Sequence, residues 1–373
     1  MNIFKLILGI GIISFFLVMP RVSAAVTLKD KGWLTDKDEN SDGRGDGGIL
    51  NRTCKGSLNT RVRRISLNPG AKTFFLNYFT CTDPRHLKKG RQCHSSWQGA
   101  SLGLYPGGWY SQGFMDVMVN GLSLNNYLPE ISSEQSQKEA VARYCWETPE
   151  AKIKLEFKVR ENLDYLFLKV NIIPKKKIFS IKTKFICFPG SMAPGKQERD
   201  RRIATAAREV KNGSKITLNK DEPWILYYDQ IWDRAKKPGC SPCALFYPVI
   251  EAQKVELDIR NYEVLTFFTY PVERQEFNYV IFTDIPKSNQ EALAFMKART
   301  SKEKQSENYL ADKVNEWNGQ LKALRKKLEA DRNSLDAMSE KIEKIKKRGS
   351  FMPGEAESID NELQEKSLRY FID

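Results

Sequence analysis

Four carboxylates stand within a few residues of aromatic side chains, and acid–base work in this chain would be found there. Asp116 follows the stretch from Trp97 to Phe114, in which Trp97, Tyr105, Trp109 and Tyr110 are interleaved with Gly99, Gly103, Gly107 and Gly108. Glu147 follows Trp146, and Asp229 and Asp233 flank Trp232 in a second cluster that holds Trp224, Tyr227 and Tyr228. Glycines let the backbone turn tightly. Aromatic faces on such turns form apolar platforms with polar edges, suited to sugar rings. The candidate ligand-binding residues are therefore Trp97, Tyr105, Trp109, Tyr110, Trp224, Tyr228 and Trp232. A glycan-cleaving enzyme built here would draw its two carboxyl groups from Asp116, Glu147, Asp229 and Asp233. The competing reading, which the sequence favours, makes these aromatics core residues and the charges beside them structural. There is no G-x-S-x-G elbow, no H-E-x-x-H and no phosphate-binding glycine loop, and 2 histidines leave little room for histidine chemistry.

A different chemistry belongs to Asp38-Glu39-Asn40-Ser41-Asp42-Gly43, with Asp36 before it and Asp46 after it. Side-chain oxygens recur at alternate positions, and the glycine permits the sharp bend that folds them around one ion. Over about ten residues the segment resembles the calcium loops of EF-hands, dockerins and thrombospondin type 3 repeats. The resemblance implies a structural Ca2+ held by Asp36, Asp38, Asn40, Asp42 and Asp46. Ile49 stands where an EF-hand places its bidentate glutamate, and no apolar helix precedes the loop. The favoured alternative is a solvated linker.

Seven cysteines, Cys54, Cys81, Cys93, Cys145, Cys187, Cys240 and Cys243, leave at least one without an intramolecular partner. Cys81 and Cys93 bracket a polar loop and are candidates to staple it. Cys240-Ser241-Pro242-Cys243 has redox-motif spacing, but strand-like residues and Pro248 follow where a redox motif needs a helix, so a local staple is expected. No second pair stands near enough for a zinc site. Cys187, in Phe185-Ile186-Cys187-Phe188, reads as a buried inert thiol.

The compartment comes from residues 1–24. Lys5 precedes a nearly unbroken apolar run from Leu6 to Met19, and Val22-Ser23-Ala24 offers small residues in a cleavage pattern. That is the layout of a secretory signal peptide, shorter than the ~20 apolar residues of a membrane span. A secreted or extracytoplasmic protein is expected, with no transmembrane span in the mature chain. The formal charge is +14, of which Lys5 and Arg21 supply two. A basic surface outside the cytosol meets glycans or anionic envelope polymers most simply. No helix-turn-helix, zinc-finger or RNA-binding signature points to nucleic acid.

These groups need a scaffold, and the sequence predicts three parts after the leader. Residues 25–60 are polar and rich in Asp and Gly. Residues 61–286 read as strand after strand. Ile178–Cys187 alternates with one slip of phase, and further strands are expected over 72–80, 114–119, 140–146, 153–159, 165–172, 224–228, 255–259, 264–270 and 279–282. With no alternating helices, the fold class is mainly β: a large antiparallel β-sandwich or supersandwich. Pro174–Lys177 reads as a hairpin tip, and residues 194–211 as a charged excursion that holds one helix. Residues 287–373 form the third part, beginning near Ser288. Leu310, Val314, Trp317, Leu321, Leu324, Leu328, Leu335, Met338, Ile342 and Ile345 recur at steps of three and four, missing one core position at Asp331. A long C-terminal helix is expected, with a shorter one after Pro353 that closes a helical hairpin. The seam over 310–345 must meet the short helix, the β domain, or a second chain.

The leading functional expectation is an exported, non-enzymatic protein that binds glycan or envelope polymer. The alternatives are a carbohydrate-active lyase or hydrolase and an envelope scaffold assembling through the coiled-coil seam.

Overall fold

The period-two pattern of the central sequence is realised as two antiparallel sheets. The computed structural model describes residues 25–35, 60–70, 72–81, 101–110, 113–161, 163–190, 198–235, 241–247, 252–285, 287–304, 314–325 without 316 and 323, 332–349, 352, 355–356, 358–359 and 362–363. The leader, the Asp-rich loop with Asp36, Asp38, Asn40, Asp42 and Asp46, and Cys93, Trp97 and Cys240 lie outside these residues.

In chain order, β1 (Thr27–Thr35), β2 (Thr60–Asn68), β3 (Phe74–Cys81), β4 (Ser101–Tyr105), β5 (Met115–Val119) and β6 (Leu122–Ser123) begin a ten-stranded sheet. A meander of β7 (Glu130–Gln135), β8 (Glu139–Glu147), β9 (Ala151–Arg160) and β10 (Leu166–Pro174) begins a nine-stranded one. The chain then passes back and forth. β11 (Ile181–Cys187) joins the first sheet, β12 (Arg201–Ala204) and β13 (Glu209–Lys211) the second, and β14 (Ser214–Thr217) the first. β15 (Trp224–Asp229) and β16 (Cys243–Phe246) join the second, β17 (Lys254–Ile259) and β18 (Val264–Tyr270) the first, and β19 (Glu276–Phe282) the second. The spatial orders are β1-β2-β3-β4-β5-β11-β18-β17-β14, with β6 on β5, and β13-β12-β15-β16-β19-β10-β9-β8-β7.

Alternation decides which side chains meet between the sheets. On β9, Ala151, Ile153, Leu155, Phe157 and Val159 are buried, while Lys152, Lys154, Glu156, Lys158 and Arg160 face outward. Opposite them stand rows such as Val117, Phe185 and Phe268 from the first sheet. Several buried hydroxyls inside this core are paired, while Tyr144 Oη has no hydrogen-bond partner among the described residues. Tyr279 Oη lies 2.6 Å from both Thr183 Oγ1 and Tyr270 Oη, and Tyr227 Oη lies 2.8 Å from Thr266 Oγ1.

Three expectations change. β1 pairs with β2 along Thr27–Thr35, so sheet structure starts inside the segment read as polar. Residues 201–211 supply β12 and β13, not a helix. Their charges disguise a strand pair: Arg201 is fully buried against Asp229, and Arg202 bonds to Asp200 and Glu209. The lysines after Pro174 cross from the second sheet to the first, because β10 and β11 belong to different sheets.

Helix α1 (Asn289–Lys304) starts at a capping box. The Glu291 N–H donates to Ser288 Oγ, and the Ser288 N–H donates to the Glu291 carboxylate. Its Ala292 and Met296 pack over Trp224, Leu226 and Phe282 on the outer side of the nine-stranded sheet. Helix α2 (Arg332–Arg348) follows, ended by Gly349 at φ +72°. The described seam residues before it are also helical. One continuous helix, however, would set Arg325 and Asp336 about 16 Å apart along its axis, yet Arg325 Nη2 donates to Asp336 Oδ1 at 2.5 Å. The seam therefore lies side by side with itself. Val314, Trp317, Leu321, Leu324, Leu335, Met338, Ile342 and Ile345 share one buried cluster with Ile359 and Leu363. Among the described residues the seam is covered within the chain. Among them, too, no helix is long and apolar enough to cross a membrane.

Candidate functional site

The outward faces of β5, β11 and β18 carry a cluster that the alternation rule would leave polar. Cross-strand registers set Asp116 beside Lys184, Lys184 beside Phe267, and Ile186 beside Leu265. Ile186 and Leu265, with Phe188 just past β11, form a small buried apolar patch on this outer face, and Tyr110 and Phe267 pack against it. A turn holds Tyr110 there. Tyr110 N donates to Ile186 O at 3.1 Å, and Phe188 N donates to Gly108 O at 2.5 Å. Gly107 makes this turn possible: it sits at φ +108°, and a Cβ would lie 1.8 Å from the Thr283 carbonyl oxygen.

The rings continue outward. Tyr110 and Phe188 have centroids 4.7 Å apart, and Phe188 and Tyr262 4.9 Å. Tyr262, 41% exposed at the β17–β18 turn, has the Arg199 guanidinium 4.8 Å from its ring centre. These side chains floor and rim a cavity of about 530 Å³, with Asp116, Asn125, Lys184, Arg260 and Glu263 supplying the polar wall. Arg260 is held between two carboxylates, donating to Asp258 at 2.8 Å and Glu263 at 2.9 Å. It also borders a second hollow of about 450 Å³ lined by Lys215, Thr217, Glu256 and Phe267.

Asp116 is the carboxyl group of the site that burial displaces most. Burial pushes its pKa up to about 6. The Ser123 hydroxyl at 2.7 Å, the Lys184 ammonium and the Leu124 N–H at 3.1 Å oppose the rise. A carboxyl group that titrates near neutrality in a cleft can pass a proton.

Of the residues expected in a site, the structure brings Tyr110 and Asp116 together here. Tyr105 is 53% exposed on the same outer face, against Phe75, outside the cavity. Trp109 is a correction: it is 1% exposed between the sheets, edge-on to Phe114, Phe185 and Tyr227, and its Nε1–H donates to Phe282 O at 2.9 Å. Trp224 and Tyr228 are also core residues, buried under α1. Trp232 and Asp233 tie the end of β15 to its surroundings. Trp232 Nε1 donates to Glu198 O, and Asp233 accepts from the backbone N–H of Asn289 at the start of α1. Asp229, fully buried, accepts from Ile231 N and Trp232 N and pairs with Arg201 at 3.4 Å. Glu147 sits exposed at the end of β8, where Lys152 and then Lys175 hold its pKa down to about 2. Asp116 and Glu147 thus stand on separate strands of different sheets, while Asp229 and Asp233 both reach Asn289 at the start of α1.

Cys243, expected in a staple with Cys240, is a free buried thiol, as is Cys187, and Cys145 is free and half-buried. The side chain of Cys81 lies outside the described residues with Cys93. Lys184, Ile186, Phe188, Arg260, Tyr262 and Glu263 were missed. One signal for them existed: Phe185-Ile186-Cys187-Phe188 is apolar on both faces of its strand, so its outward side needs cover.

No protein-family model and no curated protein matches the chain. By shape, 37 chains of solved structures do. One is a Klebsiella pneumoniae protein described as an aldose 1-epimerase, 11% identical, covering 74% of this chain and 96% of its own, at a TM-score of 0.38. A xanthan lyase from Paenibacillus is 10% identical over 65% of this chain and 25% of its own, at 0.37. An α-galactosidase from Geobacillus stearothermophilus is 8% identical over 58% of this chain and 40% of its own, at 0.31. The chain itself is mainly β, with two antiparallel sheets and few helices among the described residues.

Proposed function

We propose that the outer-face cavity of the ten-stranded sheet binds a saccharide, and that the protein is an exported, non-enzymatic binder of glycan or envelope polymer. One observation carries this reading: the ring series Tyr110–Phe188–Tyr262 adjoins a wall of Asp116, Lys184, Arg260 and Glu263. Sugar rings offer apolar C–H faces and hydroxyl edges, and this arrangement offers partners for both. The two adjoining hollows provide length for more than one ring. The +14 formal charge adds attraction toward anionic polymers.

Polysaccharide pull-down and a glycan array test the reading. Neutral or acidic polymer is expected to be retained at low salt, with retention lost in Tyr262→Ala. Absence of retention on every polymer, or equal retention by the variant, overturns it.

A second reading, a lyase or hydrolase, draws on Asp116, whose pKa near 6 suits proton transfer. Here Glu263, in the same cavity, is the second carboxylate. Release of reducing ends from a retained polymer, abolished in Asp116→Asn, would favour it over simple binding.

A further inference from the structure

Two cysteines read from the sequence as unrelated meet between the sheets. Cys187 closes β11 in the ten-stranded sheet, and Cys243 opens β16 in the nine-stranded one. Both are buried free thiols, and burial, then the nearby Cys243 sulfur, push the Cys187 thiol's pKa up. One turn straddles them. Trp109 forms an isolated backbone bridge with Cys187, and the Gly108 N–H, its chain neighbour, donates to Cys243 Sγ at 2.9 Å. A Cβ on Gly108 would lie 3.1 Å from that sulfur, so the backbone is drawn up against it.

We propose that Cys187 and Cys243 form a disulfide that joins the two sheets. The turn that touches both residues sets the thiols close together, and closeness is the first requirement of the bond, since two cysteines farther apart need backbone movement to be bridged. Each thiol gives up a proton, and the pair gives up two electrons as the S–S bond forms. An external disulfide of the glutathione type is the oxidant; it takes up both electrons and both protons and leaves as two thiols. Because the mature pocket is closed, exchange takes place while the chain folds. The bond ends the S–H donation from Cys243 to Thr283 O, now 2.6 Å, and keeps the sulfur against the Gly108 N–H. It also leaves Cys240 without its sequence neighbour as a partner.

The test refolds reduced wild-type protein in a glutathione redox buffer, blocks remaining thiols under denaturing conditions, and maps the digest by mass spectrometry. A linked pair of peptides containing Cys187 and Cys243 is expected. The oxidised protein should melt about 10 °C above the same sample in dithiothreitol, and Cys187→Ala should abolish that difference while Cys145→Ala keeps it. Blocked thiols at both positions, or a Cys240–Cys243 link in place of the inter-sheet one, overturns the proposal. The mapping needs only the wild-type chain, so a variant that fails to fold leaves it decisive.

Discussion

Asp116 and Lys184 stand opposite each other on adjacent strands, both turned away from the core toward the groove. Burial outweighs the ammonium beside it, so the folded-state pKa of Asp116, about 6, lies above its ordinary value of 3.8. The native state therefore holds this proton more tightly than the unfolded chain. The resulting stability is fully present below about pH 4 and is lost as pH rises through 6. Relative to Asp116→Asn, the wild-type protein should lose about 2 kcal/mol between pH 4 and pH 7.5. Denaturant titrations of both proteins across that range check it; parallel curves would remove the assigned burial effect.

Trp109 and Tyr262 should separate stability from binding. Trp109→Phe removes ring volume and leaves the Phe282 carbonyl without its donor, at a cost of about 2–4 kcal/mol. Tyr262→Ala, at an exposed turn, should leave thermal unfolding nearly unchanged and weaken polymer binding about tenfold, or about 1.4 kcal/mol. Calorimetry and affinity electrophoresis measure the two effects.

Arg201→Met should cost about 3–5 kcal/mol, because Asp229 would stay buried with its counter-charge removed. Adding Asp229→Asn should recover part of that loss. The asparagine oxygen still accepts from Ile231 N and Trp232 N, so the turn survives without the charge. Chemical denaturation of the single and double variants measures the recovery.

Two glycines should respond oppositely to alanine. At Gly107 the added carbon collides with the Thr283 carbonyl, and Gly107→Ala should abolish soluble folded protein. Gly319 is helical, with nothing within 4 Å of the place a Cβ would take, and Gly319→Ala should stabilise by about 0.5–1 kcal/mol. Expression yield and helical melting followed by circular dichroism give the outcomes.

Strand positions were legible wherever one face is dry and the other wet. β9, β17 and β18 fall almost where their alternation puts them. The phase slip at Ile178–Cys187 was also informative. The strand begins only at Ile181, and Phe179, read as part of it, is 70% exposed on the crossover. Helix α1 starts just after Ser288, near where the third part was expected to begin, and a local device, the capping box, fixes that start. What escaped notice depends on pairs far apart in the chain. The burial of Arg201 rests on Asp229, and the groove joins Lys184 on β11 to Tyr110 and Tyr262 on two separate connections. Trp109 and Tyr110 are neighbours with opposite fates, one inside the sandwich and one outside it. Composition treats them alike; the pleat does not. The doubling back of the heptad seam was hidden for a related reason, since a hairpin and a rod need the same spacing of apolar residues.

The place of β19 governs the order in which this molecule can be completed. It is the last strand in chain order among the described residues, yet it lies between β16 and β10 near the middle of its sheet. Until residues 276–282 arrive, that sheet exists as two unjoined halves, each with a bare inner edge open to stray pairing. Assembly is therefore a late, all-or-nothing event with long-range closure, slow by the ordinary dependence of folding rate on contact separation. A chain interrupted anywhere before Glu276 is expected to yield sticky fragments, not a smaller working sandwich.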